Sequence, residues 1–163
     1  MGDGPSELIM LTTGLVVATI VSSLLLSTWG SISQGLDNQG EQELMDSKTR
    51  VSIVNNPASI TWDDTATDTD VKTSIFIQNS GKTTLNIEST YIVIGGVMMT
   101  ASASATSPTM WSVGEVIEFE ITVLEADFDP PDVPTEFFLN IGVTSELNSP
   151  TGTYSASEVI RLV

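Results

Sequence analysis

From Leu8 to Leu36 the chain reads LIMLTTGLVVATIVSSLLLSTWGSISQGL, 29 residues without one charge, bounded by Glu7 and Asp37. About 20 apolar residues at 1.5 Å rise cross a hydrocarbon core of roughly 30 Å. The densest part, Leu8–Trp29, is long enough to do this with some tilt. A cleaved secretory signal has an apolar region of about 7–15 residues behind a basic segment, and no Lys or Arg stands before Leu8. The stretch is therefore expected to be retained, as a membrane helix or a pilin-like filament helix. The rest of the chain reads as what this helix carries.

The expected division is a hydrophobic helix over 1–36, a polar helical extension or stalk over 37–50, and an acidic β-domain over 51–163. The chain has 163 residues and a net charge of −16, with neither Cys nor His. From Val51 onward 15 acids stand against Lys72, Lys82 and Arg161, so the distal part alone carries about −12. No basic patch exists to displace phosphate counterions, which excludes nucleic acid as a main partner. Without Cys there is no disulfide framework or thiolate chemistry. Without His, the usual general base near neutral pH and the commonest transition-metal ligand are missing. An enzyme is not expected.

Pro5 and Ser6 suit a helix start, and Glu7 in the first turn favours the helix dipole. Within the helix, Gly14, Ala18 and Ser22 recur every four residues, and Thr19, Ser23, Ser27 and Ser31 form a second row beside them. Small residues at that spacing let helices approach closely in lipid. Gly14, Ala18, Ser22, Ser23 and Ser27 are thus the expected helix-packing stripe. Past Ile32 the pattern turns polar, and Gly35 and Gly40 each weaken a helix by about 1 kcal/mol relative to Ala, which predicts a weak point near Gly40. Trp29 suits a membrane interface.

After Arg50 the period changes to two. Val51–Val54 is a short apolar run. Val71, Thr73, Ile75 and Ile77 alternate with Lys72, Ser74, Phe76 and Gln78, as in a half-buried strand. Further strands are expected over Leu85–Ile94, closed by Gly95–Gly96, and over 115–124, 136–144 and 158–163. The expected core holds Ile75, Ile77, Ile92, Ile94, Trp111, Ile117, Phe119, Ile121, Phe138 and Ile141. Six to eight short strands with Gly, Asn and Pro turns predict an antiparallel β-sandwich. The fold class is therefore α+β by segregation: one long N-terminal apolar helix, then an Ig-like β-sandwich.

Two acidic clusters are the places where chemistry could reside. Asp63, Asp64, Asp68 and Asp70 place four carboxylates in eight residues, a candidate oxygen-ligand set for Ca²⁺. Their spacing departs from an EF-hand loop, with no Gly at the sixth place and Ile75 where the twelfth-place Glu belongs. A solvated loop between strands explains them more simply. Asp127, Asp129 and Asp132 around Pro130–Pro131 make a second, stiffer acidic loop. Glu118 and Glu120 lie about 7 Å apart on one strand face. Paired carboxylates can cleave glycosides, but outward charges that blunt sheet pairing are the simpler account. No cofactor is expected beyond that Ca²⁺ candidate.

Several motifs occur in a family order. SELIMLTTGLVVATIVSSLLLSTWGSISQGL resembles the opening helix of archaeal filament and archaellum proteins. Val51–Val54–Asn55–Asn56–Pro57 resembles a segment ending in an Asn/Asp–Pro step, with Asn56 where an acid is usual. Phe76–Ile77–Gln78–Asn79–Ser80–Gly81–Lys82–Thr83–Thr84–Leu85 and Trp111–Ser112–Val113–Gly114–Glu115–Val116 resemble the hairpin and Trp-turn of the archaellum stator family FlaG. That resemblance implies a non-catalytic, membrane-anchored β-domain in the pseudo-periplasm. It would self-associate and, with a FlaF-like partner, hold the motor against the S-layer and cell envelope. Lys48 and Arg50, the only cations near the helix, oppose this orientation under the positive-inside rule.

Two alternatives remain. The chain resembles archaellins and pilin-like subunits, whose helices bundle into an extracellular filament. Met1–Gly2–Asp3 with Glu7 at the fifth place echoes a pilin start, while the absence of N-x-[ST] acceptors is unlike many archaellins. The other alternative is a Ca²⁺-dependent surface-layer or glycan-binding module built on the Asp63–Asp70 loop.

Overall fold

The computed structural model describes residues 4–163 apart from 64–69, 125, 129, 131–133 and 147–149. Among the described residues one α-helix, α1 (Gly4–Lys48), precedes seven strands: β1 (Val51–Ile53), β2 (Thr73–Asn79), β3 (Leu85–Ile94), β4 (Val97–Ala103), β5 (Val116–Thr122), β6 (Thr135–Ser145) and β7 (Thr153–Leu162). The chain forms two compact units, Met1–Glu41 and Gln42–Val163. The helix runs unbroken through Gly35 and Gly40. Each glycine lowers intrinsic helix propensity, but one residue in a long cooperative helix does not end it.

The strands form one antiparallel sheet in the order β1-β2-β5-β4-β3-β6-β7. It curls around a single core, close to a barrel or sandwich, and the α+β class holds. Its two edges are brought near each other by the segment after β1. Ile60 donates to the Arg161 carbonyl at 2.9 Å and Trp62 to that of Val163 at 2.8 Å, while Arg161 and Val163 donate back to Pro57 and Ile60 at 2.7 and 2.9 Å. The end of β7, from Arg161 to Val163, is thereby paired on its outer edge, which shortens the open edge that could template strand addition.

The core is the inward set of a period-two pattern. In β5, Ile117, Phe119 and Ile121 are buried while Glu118 and Glu120 between them are half-buried on the outer side. They face Ile77, Ile75 and Thr73 on β2 in direct register. On the other half, Ile92 and Ile94 pair with Ile141 and Leu139. Trp111 packs on Phe119 with ring centroids 5.5 Å apart, and Phe128 stands edge-on to both Trp62 and Phe137 at 5.4 and 5.2 Å.

Three expectations are corrected. Phe138 is 64 % exposed and lies outside the core. Alternation forbids Phe138 and Ile141 from facing the same side, and with Leu139, Ile141 and Val143 inward it is the half-buried Phe137 that packs against the core. Lys72 is 5 % exposed, not on a polar outer face, because the alternation starts one residue later, at Thr73. Its long stem suits such burial. Strand β4 was not expected at all. Its Val-Met-Met-Thr-Ala-Ser-Ala sequence has little β-branching, and it forms because Gly95 and Gly96, both at positive φ (58° and 88°), fold it back on β3 with Ile94 opposite Val97. That is the backbone demand of a two-residue hairpin turn.

Candidate functional site: the exposed helix and its seat in the β-domain

Helix α1 is apolar on every side from Leu8 to Ile32. Fourteen large apolar side chains in that span are between 49 % and 79 % exposed, and α1 buries no residue. A helix that is hydrophobic all round belongs inside a membrane or among other helices. Leaving each such side chain in water forgoes about 1.5–3 kcal/mol. Its length and composition suffice to cross a membrane.

Its hydroxyls are compatible with a dry setting. Thr12, Thr13, Thr19, Thr28 and Ser31 each donate to a carbonyl of their own helix three or four residues back, at 2.8–3.1 Å. Ala18, Thr19, Ser22 and Ser23 line a shallow concavity of ≈ 410 Å³ between Leu15 and Leu26. A Cβ added at Gly14 would meet nothing within 4 Å, so no contact inside the chain requires glycine there.

The last turns of α1, Gln42–Lys48, belong to the second unit and are held by two loops. The four final carbonyls of a helix need partners from outside it. Here Met45 O accepts from Thr49 N at 3.0 Å and from Thr49 Oγ1 at 2.9 Å, and Lys48 O accepts from Lys82 N at 2.7 Å. Ser80 N donates to Arg50 O at 3.1 Å. From the other side, Gln42 Nε2 donates to Thr151 O at 2.9 Å and to Asp46 Oδ1 at 3.0 Å, and the same Asp46 oxygen accepts Thr153 N at 2.7 Å. Both loops press glycine backbone against the helix end. A Cβ on Gly81 would lie 2.7 Å from Arg50 N and closer still to Lys48 O; one on Gly152 would lie 2.6 Å from Met45 O.

Beneath the first loop stands Asn79, fully buried. Its Nδ2 donates to Thr83 O at 2.8 Å and Trp111 O at 3.1 Å, and its Oδ1 accepts Gly81 N at 3.0 Å. Its backbone N–H reaches Glu115 O at 2.9 Å, and its carbonyl accepts Gly114 N at 2.8 Å. Glu115 in turn takes Ser112 N on its carboxylate at 2.7 Å, and its carbonyl takes Trp111 Nε1 at 3.1 Å. The Asn–Ser–Gly turn and the Trp-x-x-Gly-Glu turn, 32 residues apart in the Asn79–Trp111 bond, are thus one hydrogen-bonded unit that shapes the helix seat. Asn55 plays a related part. Its side chain takes Phe76 N at 2.5 Å and donates to Ser74 O at 3.1 Å, continuing the β1 pairing where the β1 backbone turns away.

Of the candidate metal residues, Asp64 and Asp68 lie outside the described residues. Asp63 and Asp70 are described and each is engaged in an interaction. Among the described residues no group of three His, Cys, Asp or Glu is arranged to hold a metal ion. The packing stripe Gly14, Ala18, Ser22, Ser23 and Ser27 lies on an exposed part of α1. Sequence reasoning did not single out Asp46, Thr49 or Gly152, whose roles depend on a loop more than 100 residues away. Asn79, Gly81, Trp111 and Glu115 were noticed only as family motifs, not as one unit.

No curated protein matches the chain at a significant level. The sequence pattern that defines the archaeal-type flagellins matches residues 3–153, from the foot of α1 into the start of β7, and the chain belongs to that family.

Proposed function

We propose that this chain is a filament subunit of the archaellum, a non-catalytic structural protein. Its α1 joins the helices of other copies in a filament core, and its β-domain faces outward. The observation that carries this reading is the uncovered apolar surface of α1 from Leu8 to Ile32, in a chain whose family is that of the archaeal flagellins. On the order of tens of kcal/mol of burial is left for other molecules to supply. The family match favours the filament alternative over the FlaG stator reading, with its FlaF-like partner and S-layer contact.

In this reading Gly14, Ala18, Ser22, Ser23 and Ser27 are where neighbouring helices come closest. Gly14 costs helix propensity and no contact within the chain needs it; close approach of a second helix supplies a reason. The self-satisfied hydroxyls of Thr12, Thr19 and Thr28 allow that surface to be dry. Membrane insertion before assembly uses the same residues. The seat of Gln42–Lys48 between two loops fastens the last turns of the helix to the β-domain.

Electron microscopy and intact-mass analysis of native assemblies test this. Long helical filaments containing the chain, lost when Ala18→Leu fills the stripe, are the expected result. Membrane-extracted oligomers with no filament under any growth condition would return the chain to the stator reading.

A further inference from the structure

We propose that α1 carries, beyond its apolar span, a self-complementary charged stripe by which the helices of neighbouring copies set their axial stagger, with Asp37 and Glu41 of one copy against Lys48 of the next. The proposal rests on the filament reading for the parallel arrangement of the helices, and on the spacing of the charges for the stagger.

Two and three turns of an α-helix take about 7.2 and 10.8 residues, so residues 7 and 11 apart fall on one face. Glu41 and Asp37 stand 7 and 11 residues before Lys48. The three therefore share a face of α1, with the acids about 10 and 16 Å from the lysine along the axis. Asp37 and Glu41 are exposed and Lys48 is half-buried. Leu44, 53 % exposed, lies between them on the same face. The β-domain holds the opposite side of the helix, where Gln42 and Asp46 turn toward Thr151 and Thr153. Glu43 also points away, since the two residues from Glu41 turn the helix by about 200°. Followed toward the N-terminus at the same spacing, the face passes through Gly30, Ser23 and Thr19, small residues that let a second helix come close.

Pairing inside the helix does not account for this pattern. A helix gains from a Glu four residues before a Lys, but Leu44 and Met45 hold the positions four and three before Lys48. The helix dipole explains a cation in the last turn, yet gives no reason for two acids 7 and 11 residues before it on the same face. Nor are the signs mixed, as solvation alone would allow. Three of the chain's five cations, Lys48, Arg50 and Lys82, gather at the end of α1, where Lys82 N donates to Lys48 O at 2.7 Å. The acids of the helix past its apolar span, Asp37, Glu41, Glu43 and Asp46, all come before them.

A second copy supplies both halves. Two parallel helices in register set acid beside acid and cation beside cation, which repels. Shifted by 7–11 residues, about 10–16 Å, Lys48 of one copy meets Glu41 or Asp37 of the other. Antiparallel copies would match the charges too, but would leave their apolar spans pointing apart and uncovered. An anionic lipid surface is out of reach, because Lys48 lies 16 residues past Ile32 with Asp37 and Glu41 in between, about 24 Å along the helix. Exposed ion pairs are individually weak. Helices already bundled along their apolar spans hold the stripes at high effective concentration, where weak pairs suffice to choose a register.

The test places p-benzoylphenylalanine at position 44 in the full chain, which keeps every charge, and irradiates native assemblies. The expected product has twice the mass of the chain, with the attachment mapped to residues 33–37 of the second copy. Attachment elsewhere, as at 41–48 for helices in register, overturns the proposal, and so does an adduct with lipid or another protein, or no adduct. Microscopy of the same samples separates it from the filament reading. Filaments without the adduct at 33–37 remove the stagger alone, while that adduct without filaments removes the filament and keeps the stagger. As a second measurement, Lys48→Glu is expected to raise the concentration needed for assembly about tenfold, and Asp37→Lys with Glu41→Lys in the same chain to restore it. A lysine that only complements the helix end is not rescued by those two changes, so an unchanged or unrescued value counts against the proposal.

Discussion

At the scale of single residues, the most connected side chain in the β-domain is Asn79. It is fully buried and its amide makes three hydrogen bonds, joining its own turn to the Trp111 turn. Truncation leaves the Trp111 and Thr83 carbonyls and the Gly81 N–H without that partner, and an unmade buried hydrogen bond costs about 1–3 kcal/mol. Asn79→Ala is expected to destabilise the domain by about 3 kcal/mol, read from urea unfolding of the full chain in detergent. Aspartate at the same place keeps the acceptor for Gly81 but loses both donors, and should recover only part of the loss. A change below about 0.5 kcal/mol for Asn79→Ala would mean that the two turns are held together by packing alone. Asn56, which stands where the resembling family carries an acid, loses nothing by the exchange: its Oδ1 accepts Ala58 N at 3.2 Å, a bond that a carboxylate would make in the same way.

At the scale of elements, the instructive piece is the end of α1. Asp46 sits in the last turn, where the helix dipole disfavours a negative charge. Its carboxylate is nevertheless placed there to receive Thr153 N and Gln42 Nε2. A local preference is set aside for a contact that fastens the helix end to the loop before β7. Asp46→Ala is expected to speed amide exchange at least tenfold at residues 42–49 and 151–153, while amides in β3 and β6 exchange as before. Equal protection in the variant would show that Gly152 and Thr49 hold the seat without the carboxylate. Strand β4 makes the complementary point. Its own residues argue weakly for a strand, and the hairpin turn at Gly95–Gly96 together with pairing to β3 and β5 makes it one.

For the molecule as a whole, the balance lies between an apolar helix that needs company and an acidic domain that repels its own kind. Raising salt from 0.1 to 1 M shortens the screening length from about 10 to 3 Å. The melting temperature of the β-domain in the full chain is therefore expected to rise with NaCl, followed by circular dichroism at the β-sheet signal. A melting temperature independent of salt would show that the carboxylates are too far apart for their repulsion to weigh on folding.

Much of this was legible in the amino-acid order. An uninterrupted run of uncharged residues from Leu8 to Leu36 leaves few choices besides a helix, because only a structure that satisfies its own backbone tolerates an apolar surrounding. Strict alternation in Val116–Thr122 committed β5 to a sheet with Glu118 and Glu120 outward, since side chains on a strand point to opposite faces in turn. Other features depended on residues far apart in the chain. Whether Phe137 or Phe138 enters the core is a question of register, which two adjacent phenylalanines cannot answer and pairing with β3 and β7 does. The burial of Lys72, the joining of Asn79 to Trp111 and the capture of Asp46 by Thr153 likewise arise from loops that meet only after folding. Local periodicity reports which face of an element is apolar; only the packed fold says which polar groups that packing leaves facing one another.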